Sequence, residues 1–306
     1  MEGKGRVLAA DCSGLAPAAY AADEAFLVPR IDAPDYREKL IALCREQQVT
    51  GVLSLIDPEL ALIAEAGDEL RAVGTMPLVS SKELCDLCLD KYAMYEKLTS
   101  LGIPTARCFL TLDAFEAAKS AGEIDFPVFV KPRLGSASIQ VQRVDDPEFL
   151  EILMRRCPDL MIQEYMPYQE YGCDAYLDLL SGRCTSLFLK KKIRMRAGET
   201  DKSVSVHDEA CFALVKNLAE TLGFRGVIDI DLFRDEESGT WYVSEINPRF
   251  GGGYPHAFAC GVDFPALVVE NLEGRETKDS IGSYPDGVYM MKYNEMVFLP
   301  EEKVIR

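Results

Sequence analysis

The residues of this chain whose types and spacing could do chemistry are carboxylates that alternate along two neighbouring apolar runs. Val227-Ile228-Asp229-Ile230-Asp231-Leu232-Phe233 and Trp241-Tyr242-Val243-Ser244-Glu245-Ile246-Asn247 flank a stretch, 235–240, rich in Asp, Glu, Ser and Gly. Period-two alternation on both sides of such a turn predicts a β-hairpin. With the turn centred near Ser238, Asp231 opposes Glu245 and Asp229 opposes Asn247. All four side chains then share one face, and Ile228, Ile230, Leu232 and Ile246 face the core. Opposed carboxylates repel and weaken a sheet unless something positive lies between them. A set of carboxylate and amide oxygens suits a hard divalent cation, Mg²⁺ above all, which usually shares its shell with water and phosphates. Asp231, Glu245 and Asn247 are the candidate metal ligands.

An acidic edge hairpin facing solvent would show the same alternation. Against it stands the continuation Asn247-Pro248-Arg249-Phe250-Gly251-Gly252-Gly253. Arg249 offers a planar cation, and the glycines offer backbone that an anion can approach closely. The plain alternative is a surface loop.

Further cations are scattered along the chain. Lys131 ends an apolar run, 126–131, that leads into Pro132-Arg133-Leu134-Gly135-Ser136-Ala137-Ser138 and a second strand, 139–144. Gly135, Ser136 and Ser138 would offer donors from a flap while Lys131 reaches over a ligand. Neither a Walker nor a dinucleotide glycine pattern occurs. Lys91 follows Asp90, a plausible N-cap, which is an unfavourable place for a cation unless a phosphate offsets it. Lys190-Lys191-Lys192-Ile193-Arg194-Met195-Arg196 is the one dense positive run, and a solvated strand edge explains it equally well. His256, after Gly-Gly-Gly-Tyr-Pro, reads either as an acid–base group or as a residue that shapes a pocket. The single C-x-x-C, Cys85 and Cys88, has no second pair at zinc spacing and reads as structural.

Elements that could position these groups alternate along the chain. Strand and helix patterns succeed one another to Val79, with one helix over 57–71; two short helices occupy 80–101; strands, a helix over 147–156 and the hairpin follow. A length of 306 residues points to two domains. With 33 Lys and Arg against 50 Asp and Glu, the formal charge of −17 argues against a nucleic-acid partner. No apolar run approaches the ~20 residues of a membrane span, no membrane partner is expected, and the start lacks a signal-peptide core, so the expected compartment is the cytoplasm. The ten cysteines form no disulfide framework, and most are expected to be reduced core residues.

The strings Asp90-Lys91-Tyr92, Phe129-Val130-Lys131-Pro132, Gln163-Glu164-Tyr165-Met166, Arg196-Ala197-Gly198-Glu199-Thr200-Asp201-Lys202 and Ser244-Glu245-Ile246-Asn247-Pro248-Arg249, in this order, resemble the ATP-grasp superfamily. More narrowly, the chain is similar to one half of the carbamoyl phosphate synthase large subunit, from about Val7 to Pro300. The resemblance implies a mixed α/β and α+β architecture. A Rossmann-like pre-ATP-grasp domain, 1–84, is expected to be shortened by its first strand–helix unit. An ATP-grasp domain, 85–306, would follow, with a small lid lobe at 112–168, a large lobe at 169–306 and ATP between them.

By the same resemblance, Lys91 and Lys131 would contact ATP phosphates under a lid carrying Ser136 and Ser138. Gln163, Glu164, Tyr165 and Met166 would surround the adenine, Glu170 would bind the ribose, and Asp231, Glu245 and Asn247 would hold Mg²⁺ or Mn²⁺. Relatives often carry Gln or Glu where this chain has Asp231. Arg249, Lys131 and Arg196 would serve the chemistry, with Arg249 and the triple glycine cradling an acyl phosphate. The implied activity is ATP-dependent ligation of a small carboxylate to an amine or ammonia, by a homodimer or with a partner subunit. A nucleotide-binding partner or regulatory subunit without turnover is the competing reading, and a single candidate phosphorylation site argues against a whole carbamoyl phosphate synthase.

Overall fold

A computed structural model describes residues 5–135, 141–196 and 198–306. The chain divides into two compact units: Met1–Val52 with Ala66–Pro77 and Lys292–Arg306, and Leu53–Glu65 with Leu78–Met291. In the first, β1 (Leu8–Asp11) pairs in parallel with β2 (Glu24–Leu27), and β3 (Gly51–Val52) with β4 (Met76–Pro77), as two separate ribbons. α1 (Tyr36–Glu46) buries Tyr36, Leu40, Ile41 and Cys44, the i, i+4, i+5, i+8 stripe of an amphipathic helix. The run expected as one helix over 57–71 is two, α2 (Asp57–Glu65) and α3 (Gly67–Ala72), with Gly67, a poor helix former, at the joint. α2 belongs to the second unit.

In the second unit, α4 (Lys82–Leu89) and α5 (Lys91–Ser100) meet at Asp90, whose carboxylate accepts from the Tyr92 and Ala93 amides as an N-cap. A four-stranded antiparallel sheet follows, ordered β5-β8-β6-β7, from β5 (Cys108–Phe109), β6 (Val128–Pro132), β7 (Gln142–Val144) and β8 (Leu160–Glu164). α6 (Leu112–Ser120) and α7 (Pro147–Arg156) contribute Phe115 and Leu150 to the small core beside Val128, Val130 and Ile162.

The larger sheet is antiparallel throughout, ordered β13-β12-β9-β10-β11-β14. Its strands are β9 (Gln169–Leu177), β10 (Cys184–Arg196), β11 (Glu199–Ser205), β12 (Gly226–Arg234), β13 (Trp241–Asn247) and β14 (Tyr289–Met291). α8 (Glu209–Leu222) starts at the Asp208 cap and ends at Gly223, whose φ of 82° is left-handed. α9 (Tyr254–Ala259) and α10 (Phe264–Leu272) follow the hairpin. Tyr176, Phe188, Phe224, Ile228, Ile230 and Ile246 are all but fully buried in the main core. Among the described residues no helix is long and apolar enough to cross a membrane.

Of the two readings left open for the positive run, the structure favours the one that is not a solvated edge. β10 lies between β9 and β11, and the positive run divides: Lys190 and Lys192 are buried, while 193–196 are exposed. Polar composition had concealed β11, which nevertheless buries Thr200, Ser203 and Ser205.

Asp178, just beyond β9, ties the sheet to the segment after α10. Its buried carboxylate accepts from Asn271 Nδ2 at 2.6 Å, the Thr277 amide at 2.7 Å and the Ser181 amide at 2.7 Å. Burial alone would raise this carboxyl, but the donors, the Ser181 amide foremost, hold it well below the usual carboxylate range. A depressed folded-state value means stability that is present above the unfolded value of about 4 and lost as pH falls through the folded one. Asp178→Asn is expected to lower the unfolding free energy at pH 7 by about 2–3 kcal/mol. It should also flatten the loss of stability on acidification. Urea unfolding of both proteins at pH 7 and pH 3 checks both effects.

Candidate active site

One face of the large sheet is charged across four strands. The hairpin pairs Asp231 with Glu245 and Asp229 with Asn247, the register that a turn near Ser238 predicts, and an irregularity between Asp231 and Leu232 takes up Ser244. On the neighbouring strand Asp174 lies opposite Asp229 and Gly172 opposite Asp231; Lys190 faces Gly172 from β10. Alternation sends Ile228, Ile230, Leu232 and Ile246 into the core.

The chain itself supplies part of the positive charge that these carboxylates require. Lys192 Nζ lies 2.6 Å from Asp231 Oδ1 and 2.7 Å from Glu170 Oε1, while Lys190 pairs with Asp174, both side chains being essentially inaccessible. Burial would pull both ammonium groups down, but the facing carboxylates hold them above their ordinary value. Gly172 makes room for the two stems: a methyl group there would lie 3.1 Å from Lys190 Cε and 3.3 Å from Lys192 Cε. Burial, and after it the nearby charge of Asp231, pushes the Asp229 carboxyl up to about 7. Asp174 Oδ1 has no partner among the described residues.

Above this floor opens a cleft of about 500 Å³, lined by Lys190, Lys192, Asp229, Asp231, Glu245, Asn247, Arg249 and the three glycines 251–253. Asp57, which the sequence offered only as a helix start, grips the Arg249 guanidinium in a fork, Nε to Oδ1 at 3.0 Å and Nη2 to Oδ2 at 3.2 Å. Arg249 Nη2 also reaches Asn247 Oδ1 at 3.3 Å. The glycines are required by close approach: a methyl at Gly251 would stand 2.6 Å from Asp229 Oδ2, and one at Gly253 would stand 2.9 Å from Lys190 Cε.

Two smaller cavities adjoin. Lys91, Lys131, Gln163 and Glu245 border one; Asp57, Gly135, Glu245 and Asn247 border the other, so Glu245 belongs to all three. Burial raises the Glu245 carboxyl against the opposing pull of Lys131 and Lys91. Lys131 is buried and makes no ion pair with a described residue. Lys91 Nζ donates to the Gly135 carbonyl, and burial, then the charge of Lys131, lowers its ammonium. The loop root is stapled to the α4–α5 joint: the Lys91 amide donates to the Arg133 carbonyl at 3.0 Å, and Arg133 clasps Asp90 with Nε to Oδ1 at 2.9 Å and Nη2 to Oδ2 at 2.5 Å.

The remaining sequence candidates fall into four groups. Gln163, Glu164, Tyr165 and Met166 lie at the end of β8 and in the link to β9. There Glu164 Oε2 accepts the Arg107 amide at 3.0 Å, and Tyr165 packs on Phe129 under the Arg143 guanidinium. Glu170 is engaged by Lys192. Arg196 is exposed at the tip of the β10–β11 hairpin, opposite Glu199, and is absent from the cleft lining. Ser136 and Ser138 lie outside the described residues.

His256 takes the pocket-shaping alternative no further. It is buried and absent from the cleft lining, with Nδ1 2.8 Å from Ser203 Oγ and Nε2 3.0 Å from the Val288 carbonyl, and burial lowers its pKa. Cys85 and Cys88 are buried free thiols raised by burial, in keeping with a structural role.

Among the described residues, no three His, Cys, Asp or Glu side chains converge as a metal centre. The candidate set is two carboxylates and an amide, all on the cleft wall, and no described residue hydrogen-bonds to the Glu245 carboxylate. An all-oxygen set left incomplete in this way fits Mg²⁺, which keeps several positions for water and phosphate.

Residues 156–295 match the family described as ATP-grasp in the biosynthetic pathway with Ter operon, and residues 1–78 match the PylC-like, N-terminal domain. The chain is 27% identical over 266 residues to the carbamoyl phosphate synthase large chain of Agathobacter rectalis, covering 78% of this chain and 24% of that protein. It thus spans about a quarter of that relative's length. A solved structure of the biotin carboxylase domain of Hydrogenobacter thermophilus 2-oxoglutarate carboxylase, a dimer in complex with MgADP, ADP and bicarbonate, superposes with a TM-score of 0.70 at 18% identity, covering 92% of this chain and 67% of that one. N5-carboxyaminoimidazole synthetase from Staphylococcus aureus gives 0.69 at 16% identity, over 90% and 72%. At these identities the likeness is one of fold.

The close approach of Gly251 to Asp229 generates an ordering of variants. Gly251→Ala is expected to cost about 1–3 kcal/mol of stability through overpacking. Gly252→Ala, whose nearest neighbour is the flexible Glu199 side chain at 3.3 Å, is expected to cost less. Thermal unfolding of the two variants checks the order, and equal melting temperatures would contradict it.

Proposed function

We propose that this chain, which carries an ATP-grasp domain behind a short PylC-like amino-terminal domain and is homologous to the carbamoyl phosphate synthase large chain, is an ATP- and Mg²⁺-dependent ligase. It joins a small carboxylate to an amine or ammonia through an acyl phosphate. The observation that carries this reading is the convergence on Glu245 of a phosphate-type pair, Lys91 and Lys131, on one side and of Asp231, Asn247 and Arg249 on the other. The reading assigns 1–84 to the amino-terminal domain and 85–306 to the ATP-grasp domain, with lobes 112–168 and 169–306.

Asp231, Glu245 and Asn247 would hold Mg²⁺, with Mn²⁺ as a substitute; the bound ion supplies charge neutralisation to phosphate oxygens. Lys91 and Lys131 draw in the triphosphate, with Ser136 and Ser138 assigned to the lid. The Gln163–Met166 link receives the adenine, and Glu170 the ribose. A substrate carboxylate oxygen attacks the γ-phosphorus; the bond from that phosphorus to the β–γ bridging oxygen breaks, and ADP leaves. Arg249, oriented by Asp57 and Asn247, and the glycine backbone steady the phosphoryl group. The amine nitrogen then attacks the acyl carbon, phosphate departs with the carbon–oxygen bond, and the nitrogen sheds its proton. No covalent enzyme intermediate is required. A dimer or a partner subunit is compatible with this assignment.

Incubation with Mg-ATP and pools of amino acids, small carboxylates and bicarbonate, with ADP and phosphate measured, is expected to reveal one stimulating pool. Tight ATP binding without stimulation by any pool would instead favour a nucleotide-binding subunit without turnover. Glu245→Gln and Lys131→Ala are each expected to abolish phosphate release while circular dichroism and the melting temperature stay close to those of the parent. Full activity in either variant overturns that residue's assignment.

A further inference from the structure

The cleft lining divides by chemistry. One part is ionic, built from Lys190, Lys192, Asp229, Asp231 and Glu245; another is apolar and carries Leu55, Ile56, Met195 and Phe250. Leu55 is 61% exposed, Ile56 51% and Met195 37%, and Phe250 is half-buried. A lone exposed leucine is ordinary on a protein surface. Here apolar side chains from three separate stretches of chain line one cavity of about 500 Å³, which is the arrangement of a wall that a ligand covers.

The apolar part is held in place beside the guanidinium. Buried Ser54 accepts the Ile56 amide at 2.9 Å and donates to the Glu59 carboxylate, which fixes the turn carrying Leu55 and Ile56 into α2. The next residue, Asp57, is the one that forks onto Arg249. Phe250 follows Arg249 directly and packs edge-on against Tyr254, with ring centroids 4.8 Å apart. Met195 enters from the end of β10.

Phosphates, a divalent ion and an acid as small as bicarbonate or acetate satisfy the ionic part and leave the apolar part in water. A carboxylate with a longer hydrocarbon body meets both, its head towards Arg249 and its body across Leu55, Ile56 and Phe250. We propose that the carboxylate substrate carries a branched aliphatic or aromatic body, and that Leu55, Ile56, Met195 and Phe250 select it against smaller acids. Where an apolar wall encloses a substrate, one methylene is worth about 10-fold or more in kcat/KM. The proposal deepens the ligase reading and rests on it.

The test uses the full chain with Mg-ATP and hydroxylamine as a small amine, and measures ADP release. The hydroxylamine nitrogen attacks the acyl carbon, phosphate departs with the carbon–oxygen bond, and the nitrogen sheds its proton. Isocaproate, leucine, hydrocinnamate and phenylalanine are compared with acetate, glycine and bicarbonate. At least one of the larger acids is expected to exceed every small one by about 10-fold or more in kcat/KM, and the plain acids and amino acids separate the two forms in which such a body can arrive. Leu55→Ser and Met195→Ser, both at exposed positions, are each expected to raise KM for the preferred acid by about 10-fold, with the loss in KM rather than in kcat. A small acid used as well as the best larger one, or an unchanged KM in both variants, overturns the proposal and leaves the ligase reading intact. Stimulation by none of the acids, with ATP bound, removes the ligase reading and the proposal together.

Discussion

Mutual repulsion among acidic side chains on one face of a sheet is the constraint around which the second unit is organised. Glu170, Asp174, Asp229, Asp231 and Glu245 come from three adjacent strands, and an apolar ladder would have been cheaper to fold at every one of those positions. The chain answers with Lys190 and Lys192 from a fourth strand, and glycine at 172 lets their stems lie across the strand between. What stays unanswered is the Glu245 corner, where three cavities meet and no described residue supplies a hydrogen bond. That carboxylate lies on the cleft wall, within the pull of Lys131 and Lys91.

What sequence reading reached here, and what it missed, follow from the range of the interactions involved. The pairing of Asp231 with Glu245 was legible because one turn sets it locally and period-two alternation does the rest. Helix limits such as Pro147–Arg156 were legible for the same reason, marked by the Asp146 cap and the proline after it. The lysine run stayed open between two readings because whether β10 is an edge or an interior strand depends on β11 and β9, and β11 is too polar to announce itself. Alternation alone would have separated Lys190 and Lys192 from Lys191, but not told which pair faces carboxylates. The Asp57–Arg249 fork spans 192 residues of sequence, and no local signal encodes it.

The glycines 251–253 show how one pattern supports two physical accounts. The sequence suggested bare backbone for an anion to approach, and these residues do line the cleft. Their immediate cause is internal, however: at 251 and 253 a methyl group would collide with Asp229 and Lys190. The loop is therefore pinned against the charged floor by sterics, and the guanidinium at its start is pinned by Asp57.

The staple between Arg133 and Asp90 has a consequence for the cost of recognition. Lys91 starts α5 and Lys131 lies near the end of β6, yet main-chain bonds and an arginine clasp join their two supports beside one small cavity. Their spacing is fixed by the protein's own bonds. On the reading proposed for Lys91 and Lys131, a polyanion would spend little of its attraction on ordering these supports, and more of it would survive as affinity.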